Sequence, residues 1–521
     1  MRSLKTCLPW TPLAALAAAV GIGTVLPVHA AAPAAAASAA PAAATAPGAG
    51  PAVTPLKPCR LRGVEYPALC GSVRRPLDPA APQGTQIDVH YAVLPALARH
   101  KRPDPVFFLA GGPGQSAIAL SGVLSGQYAR LGARRDLVFV DQRGTGRSAA
   151  LECAQPELNR PLAELVDAQA ARARLAVCRQ ELAKLPHGDL RHYTTTVAMQ
   201  DLDAVRRALG AERINLVGGS YGTRAGLEYM RQFPQAVRRA VLDGVAPPDM
   251  ALPLAFGADT QSAFEAMLRA CEADPACKAR HPTLRADWDS LLASLPRRVS
   301  APHPVTGVDE PFVLTREMAL MLVRPALYAP ALTAGLPHAL SQAAQGRLGP
   351  LAGLGGSMGG RRELRMAEGQ HFSVICAEDE PRITPAAAAQ AQRATPFAEP
   401  NLLTYREVCR DWPRGAVPAE FYKVGPASAP TLLLSGGADP ATPTRHGERV
   451  AQALGAKARH VVVEQAGHGV LAIGCLRDAA VRFIQAEDDT AALAVPTDCA
   501  QGVPRPPAWR APGWVPTGST R

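Results

Sequence analysis

Short apolar runs that each end in glycine or another turn residue recur along this chain of 521 residues, and they constrain its fold more than any other feature. Each run has the length of a buried strand. Segments with helical spacing separate several of the runs, notably residues 199–209. Strands that alternate with helices build a mostly parallel sheet with covered faces, so we predict an α/β fold. The predicted strands cover residues 106–109, 137–140, 214–217, 240–242, 431–434 and 460–463.

The alternation stops after residue 243, and the following segment has a largely helical pattern. Phe264, Met267 and Cys271, for example, fall on one face of a helix. We therefore predict a large helical cap, inserted into the α/β domain before the strand at 431–434. The predicted parts are a first core part at 58–247, the cap at 248–425, a second core part at 426–502 and a Pro-rich tail at 503–521.

The first thirty residues have the composition of an export signal. Arg2 and Lys5 precede an apolar stretch, and a small-x-small sequence stands at 28–30. These features predict a signal peptide at 1–30 that is cleaved, and a permanent membrane anchor is the alternative. Residues 31–57 are rich in Ala and Pro and predict a flexible linker. We expect a periplasmic or secreted protein with no stable membrane insertion after cleavage, and its oligomeric state stays open.

Charge and motif content argue against several other classes of protein. The formal charge is +11, but the Arg residues are scattered and no dense basic run with aromatic residues occurs, so we predict no nucleic-acid partner. The chain has no CxxC pair and no HExxH motif, so we predict no metal. No Gly-Lys-Ser/Thr follows the glycine-rich segment at 111–114, which excludes a phosphate-binding loop there. We predict no cofactor.

The cysteines indicate a disulfide-bonded protein. The chain has eleven, and ten remain once Cys7 leaves with the signal peptide. An even number in an exported chain is typical of disulfides, with a metal site as the alternative. The spacing suggests that neighbours pair in order, although the sequence alone leaves the connectivity open. The suggested pairs are Cys59 with Cys70, Cys153 with Cys178, Cys271 with Cys277, Cys376 with Cys409, and Cys475 with Cys499.

A GxSxG sequence marks the predicted nucleophile. Gly218-x-Ser220-x-Gly222 follows a predicted strand and precedes a helix-like stretch, which is the context of a nucleophile elbow. The alternative is a chance match in a glycine-rich turn. A second match centred on Ser357 has no strand before it, so that context favours Ser220.

A serine hydroxyl needs a base, and the base needs an orienting acid. His468 follows the last predicted strand between two glycines, and Asp439 follows the preceding strand. The order Ser220, Asp439, His468 is the one found in α/β-hydrolases. Backbone N–H groups of Gly112 and Tyr221 are the predicted oxyanion hole, because the usual donors are one early loop and the residue after the nucleophile. The alternative interpretation is that His468 is an ordinary surface-loop residue and Asp439 an ordinary turn residue.

Five short motifs together resemble those of a known family. They are AGGPG at 110–114, DQRGTGRS at 141–148, GGSYG at 218–222, DPAT at 439–442 and GH at 467–468. Together these motifs resemble those of the proline iminopeptidase and tripeptidyl aminopeptidase branch of the serine α/β-hydrolases. The resemblance extends from about residue 59 to residue 499. The resemblance implies the α/β-hydrolase fold and, at 426–502, a tripeptidyl aminopeptidase-like C-terminal part. The chain departs from the pattern at Ala110, where many proline iminopeptidases have His, which leaves a hole built from backbone unaffected.

The long insertion and the paired cysteines look more like the exported tripeptidyl aminopeptidase-like members, which include enzymes described as carboxylesterases. The resemblance implies an exopeptidase that recognises a peptide substrate with a free N-terminus. A buried ammonium group needs an acidic partner. By resemblance Glu378 is the first choice for that partner and Asp379 the second, while a solvated acidic loop is the alternative.

The predicted function is therefore a serine exopeptidase of prolyl or tripeptidyl aminopeptidase type that works through an acyl-enzyme. A carboxylesterase with the same triad is the first alternative. A catalytically silent binding protein is the second, and the complete set of Ser220, Asp439 and His468 argues against it.

Overall fold

The computed structural model describes residues 54–303, 305–357 and 365–510. The predicted signal peptide at 1–30 and most of the predicted linker lie outside the described residues, as does the end of the Pro-rich tail from residue 511.

One large sheet dominates the described chain, and a separate two-stranded hairpin accompanies it. The strands of the large sheet lie in the order β1-β2-β3-β5-β4-β6-β7-β10-β11, and β8 pairs with β9. The six strands from β5 to β11 in this order run parallel to one another. The pairs β1 with β2, β2 with β3, and β3 with β5 are antiparallel. The strands are β1 (Lys57–Cys59), β2 (Ala68–Pro76), β3 (Gln86–Leu94), β4 (Val106–Leu109), β5 (Leu137–Val140), β6 (Ile214–Gly219), β7 (Val237–Asp243), β8 (Arg297–Pro302), β9 (Asp309–Leu314), β10 (Thr431–Gly436) and β11 (Ala458–Val463).

Helices cover both faces of the sheet, which explains why its central strands are apolar throughout. Within β4, Phe107 belongs to the core on one face and Phe108 to the core on the other. The helices outside the insertion are α1 (Ser121–Gln127), α2 (Ala129–Gly132), α3 (Leu162–Leu165), α4 (Ala168–Leu182), α5 (Thr195–Ala208) and α6 (Tyr221–Gln232), followed after the insertion by α17 (Thr444–Leu454), α18 (Gly474–Gln485) and α19 (Asp489–Leu493).

The chain between β7 and β10 is mainly helical, as its sequence pattern predicts, and the β8–β9 hairpin interrupts it. Its first part has its own apolar core, which includes Phe264, Trp288 and Leu320. The helices of the insertion are α7 (Leu254–Ala273), α8 (Pro275–Arg280), α9 (Leu284–Ala293), α10 (Arg316–Leu327), α11 (Pro330–Thr333), α12 (Leu336–Ala344), α13 (Gly349–Gly356), α14 (Glu368–Glu378), α15 (Pro385–Ala394) and α16 (Ala398–Asp411).

The end of the insertion packs against the sheet and so belongs to the main core. Phe372 of α14, Cys409 of α16 and Trp412 lie in the same apolar cluster as the inner residues of β3 and β6. The predicted cap therefore has two structural parts, one with a separate core and one that is continuous with the core of the sheet.

The ten predicted cysteines form five disulfides, and each pairs with its neighbour in the chain. The bond between Cys376 and Cys409 joins α14 to α16, the two helices that dock on the sheet.

The first described residues lie inside the segment that is predicted as linker. β1 starts at Lys57, inside the segment predicted as linker, and the Thr54 N–H donates to Ser72 O at 3.0 Å. The boundary is displaced because backbone pairing with β2 and the Cys59–Cys70 disulfide fix this short strand. The described part of the Pro-rich tail also makes contacts, since the Trp509 N–H donates to Ala334 O at 2.8 Å.

Among residues 54–510, apart from the gaps at 304 and 358–364, no helix has the length and apolarity needed to cross a bilayer. The same part of the chain contains no group of three or more His, Cys, Asp or Glu side chains placed to hold a metal ion.

Candidate active site

Ser220 lies at a sharp turn between β6 and α6. Its φ of 55° and ψ of −124° place it in a strained region of backbone space. The turn needs small neighbours, because a Cβ at Gly222 would clash with the carbonyl of Leu109 on the adjacent strand. The Ser220 N–H donates to Asp243 O at 2.9 Å. The local sequence thus holds the hydroxyl at the positive end of α6.

His468 and Asp439 meet beyond the ends of β11 and β10. His468 Nδ1 lies 2.7 Å from Asp439 Oδ2, and the Asp439 side chain is fully buried. N–H groups of Ala441 and Thr442 donate to Asp439 Oδ1 at 2.7 and 2.9 Å. The Thr442 hydroxyl donates to Asp439 Oδ2 at 2.8 Å and lies 3.1 Å from His468 Nδ1. With Nδ1 protonated and bonded to Asp439, Nε2 is left as the proton acceptor.

Burial and charge act in opposite directions on this pair. Burial disfavours the imidazolium, but the charge and hydrogen bond of Asp439 outweigh it, so the pKa of His468 is raised. Burial also disfavours the Asp439 carboxylate, yet His468 and the backbone donors lower the pKa of Asp439 below its usual value. The environment therefore stabilises the ion pair that forms when His468 takes a proton.

Asp243, at the end of β7, connects the nucleophile to the histidine loop. Its carbonyl accepts the Ser220 N–H, and its carboxylate accepts the N–H groups of Val470 and Leu471 at 3.0 and 2.9 Å. Burial raises the pKa of Asp243 to about 6. The next residue, Gly244, packs against His468, since a Cβ there would lie 3.0 Å from His468 Cε1. The structure thus pairs His468 with Asp439 and connects Ser220 to the histidine loop through Asp243.

The glycine loop that follows β4 lies beside the nucleophile. A Cβ at Gly111 would stand 3.4 Å from Ser220 Cβ, and Gly112 has a φ of +106°, a conformation that favours glycine. Gly111, which precedes the predicted oxyanion donor Gly112, thus lies beside Ser220, and the other predicted donor, Tyr221, is the first residue of α6. Such a pair can stabilise charge that develops on an oxygen at Ser220.

Tyr328, which follows α10, connects the insertion to the histidine loop. The His468 N–H donates to Tyr328 O at 2.9 Å, and the Tyr328 and His468 rings meet edge to face with centroids 5.2 Å apart. The position of the imidazole thus depends on the insertion as well as on Asp439.

The role predicted for Glu378 and Asp379 is at odds with their positions. Both side chains are fully buried. Glu378 accepts the Thr195 N–H at 2.6 Å and the Thr195 hydroxyl at 2.9 Å, while Asp379 pairs with Arg224 at 3.0 Å. Both carboxylates already have hydrogen-bond partners within the protein. Their geometry indicates a structural role, which joins the end of α14 to α5 and α6.

The second serine motif carries no comparable geometry. Ser357 ends α13, and its hydroxyl donates to Leu354 O at 2.6 Å. Arg143, from the DQRG motif, is fully buried and links loops through Asp201, Leu77 O and His192 O. This arrangement indicates a structural role for that motif.

Sequence reasoning missed Thr442, Asp243 and Tyr328. Thr442 stands three residues after Asp439 and could have been found by asking which nearby hydroxyl completes the shell of a buried carboxylate. Asp243 and Tyr328 act across long distances in the chain, and no local pattern marks them.

Comparisons with known proteins identify the family of the chain. The sequence profile described as alpha/beta hydrolase fold matches residues 104–473. The serine protease Hip1 of Mycobacterium tuberculosis is 28% identical over 437 residues, which cover 76% of this chain and 82% of that protein. The tripeptidyl aminopeptidase of Streptomyces lividans is 34% identical over 193 residues, which cover 35% of this chain and 36% of that protein.

A protein named carboxylesterase B, also from Mycobacterium tuberculosis, is 29% identical over 429 residues, which cover 75% of this chain and 78% of that protein. Among solved structures, the proline iminopeptidase of Mycobacterium smegmatis covers 81% of this chain and 99% of its own, with 15% identity and a TM-score of 0.35. The profile match confirms the predicted fold, and the named relatives confirm the predicted resemblance.

Proposed function

This chain belongs to the alpha/beta-hydrolase family, and we propose that it is a serine peptidase that cleaves peptide bonds near a free N-terminus. The observation that carries the proposal is the buried Asp439–His468 pair, 2.7 Å apart, in a chain that also has a serine in a nucleophile elbow. The names of two relatives, a serine protease and a tripeptidyl aminopeptidase, support peptide as the substrate class.

The first half of the reaction forms an acyl-enzyme. Ser220 Oγ attacks the scissile carbonyl carbon, and His468 Nε2 accepts the hydroxyl proton. Asp439 keeps the imidazole in the tautomer with Nδ1 protonated, and its charge stabilises the imidazolium. The N–H groups of Gly112 and Tyr221 donate to the carbonyl oxygen as it becomes an oxyanion.

The second half releases the acyl group. His468 gives its proton to the leaving amine, the C–N bond breaks, and the acyl group stays on Ser220 Oγ. Water then attacks the ester carbonyl with His468 again as base, and the same two N–H groups bind the second oxyanion. Collapse of this intermediate frees the carboxylic acid and restores Ser220.

We also propose that the protein works in the periplasm or outside the cell. The five disulfides support this location, because such bonds persist in oxidising compartments.

Ser220→Ala tests the catalytic assignment, and Ser357→Ala is its matched control. We expect the first variant to lose at least about 10³-fold in kcat while it keeps its melting temperature, since only the nucleophile is removed. The second keeps full activity, because the Ser357 hydroxyl donates to Leu354 O at the end of α13, within its own helix. A fluorophosphonate probe labels the wild type and Ser357→Ala. Labelling of Ser220→Ala at the same rate would contradict the assignment.

A substrate panel distinguishes the peptidase from the alternative function, a carboxylesterase. The name of one relative, carboxylesterase B, supports that alternative. The panel holds aminoacyl p-nitroanilides, tripeptidyl p-nitroanilides, their N-acetylated forms and p-nitrophenyl esters of simple acids. The proposal predicts that free amines are preferred to N-acetylated forms. Turnover of esters alone, or indifference to acetylation, favours the esterase.

A further inference from the structure

A continuous chain of side-chain contacts from the insertion leads away from His468. The Tyr328 ring meets the His468 ring at 5.2 Å, and the Arg324 guanidinium lies 5.4 Å from the Tyr328 ring centroid. On its other side, the same guanidinium lies 4.0 Å from the centroid of Phe256. Arg324 is thus held between two rings close to the predicted base.

The contacts continue to the glycine loop. Phe256 meets Tyr405 at a centroid distance of 6.3 Å, and Tyr405 Oη lies 2.8 Å from His371 Nε2. His371 Nδ1 lies 3.1 Å from Pro113 O, next to the predicted oxyanion donor Gly112. We call Tyr328, Arg324, Phe256, Tyr405 and His371 the insertion wall. It connects the two halves of the catalytic apparatus, from the histidine loop to the glycine loop.

Arg324 is the member of this wall that carries a permanent charge. Burial lowers the pKa of His371, which keeps that ring neutral near pH 7. The charge of Arg324 is felt at the site, because it opposes protonation of His468 and lowers the pKa of that residue in part. Among the described residues, Arg324 Nε and Nη2 are buried and have no hydrogen-bond partner. A guanidinium is costly to bury without an anion.

The two unpartnered atoms are the ones with which arginine grips a carboxylate side-on. Elsewhere in this molecule the same two atoms are filled. Arg231 donates from Nε and Nη2 to Glu228 at 2.7 and 2.8 Å, and Arg143 donates from the same atoms to Asp201 at 2.7 and 3.0 Å. Among the described residues no carboxylate occupies this fork in Arg324, whose neighbours are the Phe256 ring and Tyr328, which also hydrogen-bonds to the guanidinium.

We propose that Arg324 binds a carboxylate of the substrate and so makes the enzyme selective for anionic substrates. The proposal rests on the hydrolase function proposed above. A peptide can supply the carboxylate either from its C-terminus or from an acidic side chain, and both offer the same paired oxygens to the fork. The aromatic members of the wall would contact the apolar parts of the substrate around that group.

Matched substrate pairs test the selectivity. The first pair is pentaalanine with a free C-terminus and its C-terminal amide. The second series is amidated pentaalanine with Glu, or with Gln, placed at each position in turn. We expect kcat/KM of the wild type to be at least about ten-fold higher for the anionic peptide than for its neutral counterpart, either in the first pair or at one position of the Glu/Gln series. The difference should arise chiefly through KM. Preference in the first pair identifies the C-terminus as the source, and preference in the second identifies a side chain.

Arg324→Met and Arg316→Met are matched variants on α10, since Arg316 is exposed near the start of the same helix. Arg324→Met should reduce the preference for the anionic member to less than about two-fold, whereas Arg316→Met keeps it. Arg324→Lys should retain part of it, because the charge remains and the fork is lost. Equal losses on anionic and neutral substrates in Arg324→Met would show that Arg324 only packs the rings, and would overturn the proposal. So would a wild type without preference.

An ester pair separates this proposal from the proposed peptidase function. p-Nitrophenyl hydrogen glutarate carries a carboxylate, and p-nitrophenyl valerate is its neutral counterpart. If no peptide is cleaved but the glutarate is preferred in an Arg324-dependent manner, the peptidase proposal fails and the carboxylate site stands. If peptides are cleaved without any preference for the anionic member, the carboxylate site fails and the peptidase proposal stands.

Discussion

At the scale of single residues, the site combines a strained serine with an unusually well-held acid. Asp439 accepts bonds from two backbone N–H groups and from Thr442 in addition to His468, so its orientation does not depend on the imidazole alone. Such a carboxylate can hold its partner in one tautomer through both halves of an acyl transfer.

The raised pKa of His468 predicts the acid limb of the pH profile. The base acts when it is neutral, so kcat/KM should fall as the pH drops through a value above 6.5, the ordinary value for histidine. The measurement is kcat/KM against pH with a p-nitroanilide. Asp439→Asn removes the charge that raises this pKa, so the limb should move below 6.5 while kcat falls by a factor on the order of 10⁴. If the acid limb of Asp439→Asn has the same pKa as that of the wild type, the limb reports the ionisation of a group other than His468.

The sequence alone named Ser220, Asp439 and His468 because each follows a strand and stands in a short turn motif. Asp243 and Tyr328 could not be named in this way, since their roles come from contacts between distant parts of the chain, whereas Thr442 stands only three residues after the carboxylate that it binds. Glu378 and Asp379 show the reverse case. A local acidic motif looked like a binding site, but burial and the Arg224 pair give it a structural role.

At the scale of elements, the end of α14 contains more negative charge than its surroundings balance. Glu378 and Asp379 are buried beside one guanidinium, that of Arg224. Burial raises the pKa of Glu378 to about 7, although Arg224 and Thr195 act against the rise. Burial therefore favours a proton on Glu378 where α14 docks on α5 and α6.

Glu378→Gln should make this proton visible as a change in stability with pH. A raised carboxyl pKa stabilises the fold fully below the ordinary value of 4.5, and that contribution is lost as the pH rises through about 7. Between pH 5 and pH 8, the wild type should therefore lose stability relative to Glu378→Gln, by at most about 3 kcal/mol. Urea unfolding at both pH values measures the difference. Glu420→Gln, at an exposed site, is the control and should follow the wild type. Parallel behaviour of all three proteins would contradict the assignment.

The predicted parallel strands all appear, because a buried parallel strand is apolar throughout and stands out in the sequence. The antiparallel strands β2 and β3 were not predicted. β3 does alternate, with Ile87, Val89 and Tyr91 buried, so its period-2 pattern was present in the sequence. The β8–β9 hairpin was not predicted for a different reason. Half of its residues are exposed, so neither strand forms a continuous apolar run in the sequence.

At the scale of the whole molecule, the disulfides differ in what they hold. Cys376–Cys409 spans 33 residues and joins the helices that carry His371 and Tyr405, whereas Cys271–Cys277 spans 6 residues at the junction of α7 and α8. The longer closure removes more freedom from the unfolded chain, about 4 against about 2 kcal/mol in the chain-entropy model.

The double variant Cys376→Ala/Cys409→Ala should therefore lose more stability than Cys271→Ala/Cys277→Ala. It should also lose activity at temperatures below its melting point, because two members of the insertion wall lose their common anchor. Calorimetry and kcat/KM on a p-nitroanilide measure both effects. Equal melting temperatures for the two variants, with activity intact, would show that packing alone fixes the wall.

The hydrogen bond from the His468 amide to the Tyr328 carbonyl makes the position of the predicted base depend on the insertion. Tyr328 belongs to the insertion, and His468 follows a strand that is synthesised much later. An incompletely folded chain lacks this tether, so the imidazole has no fixed place beside Ser220. Hydrolytic activity therefore requires a folded insertion as well as a folded sheet, so unfolding of the insertion alone is enough to switch the site off.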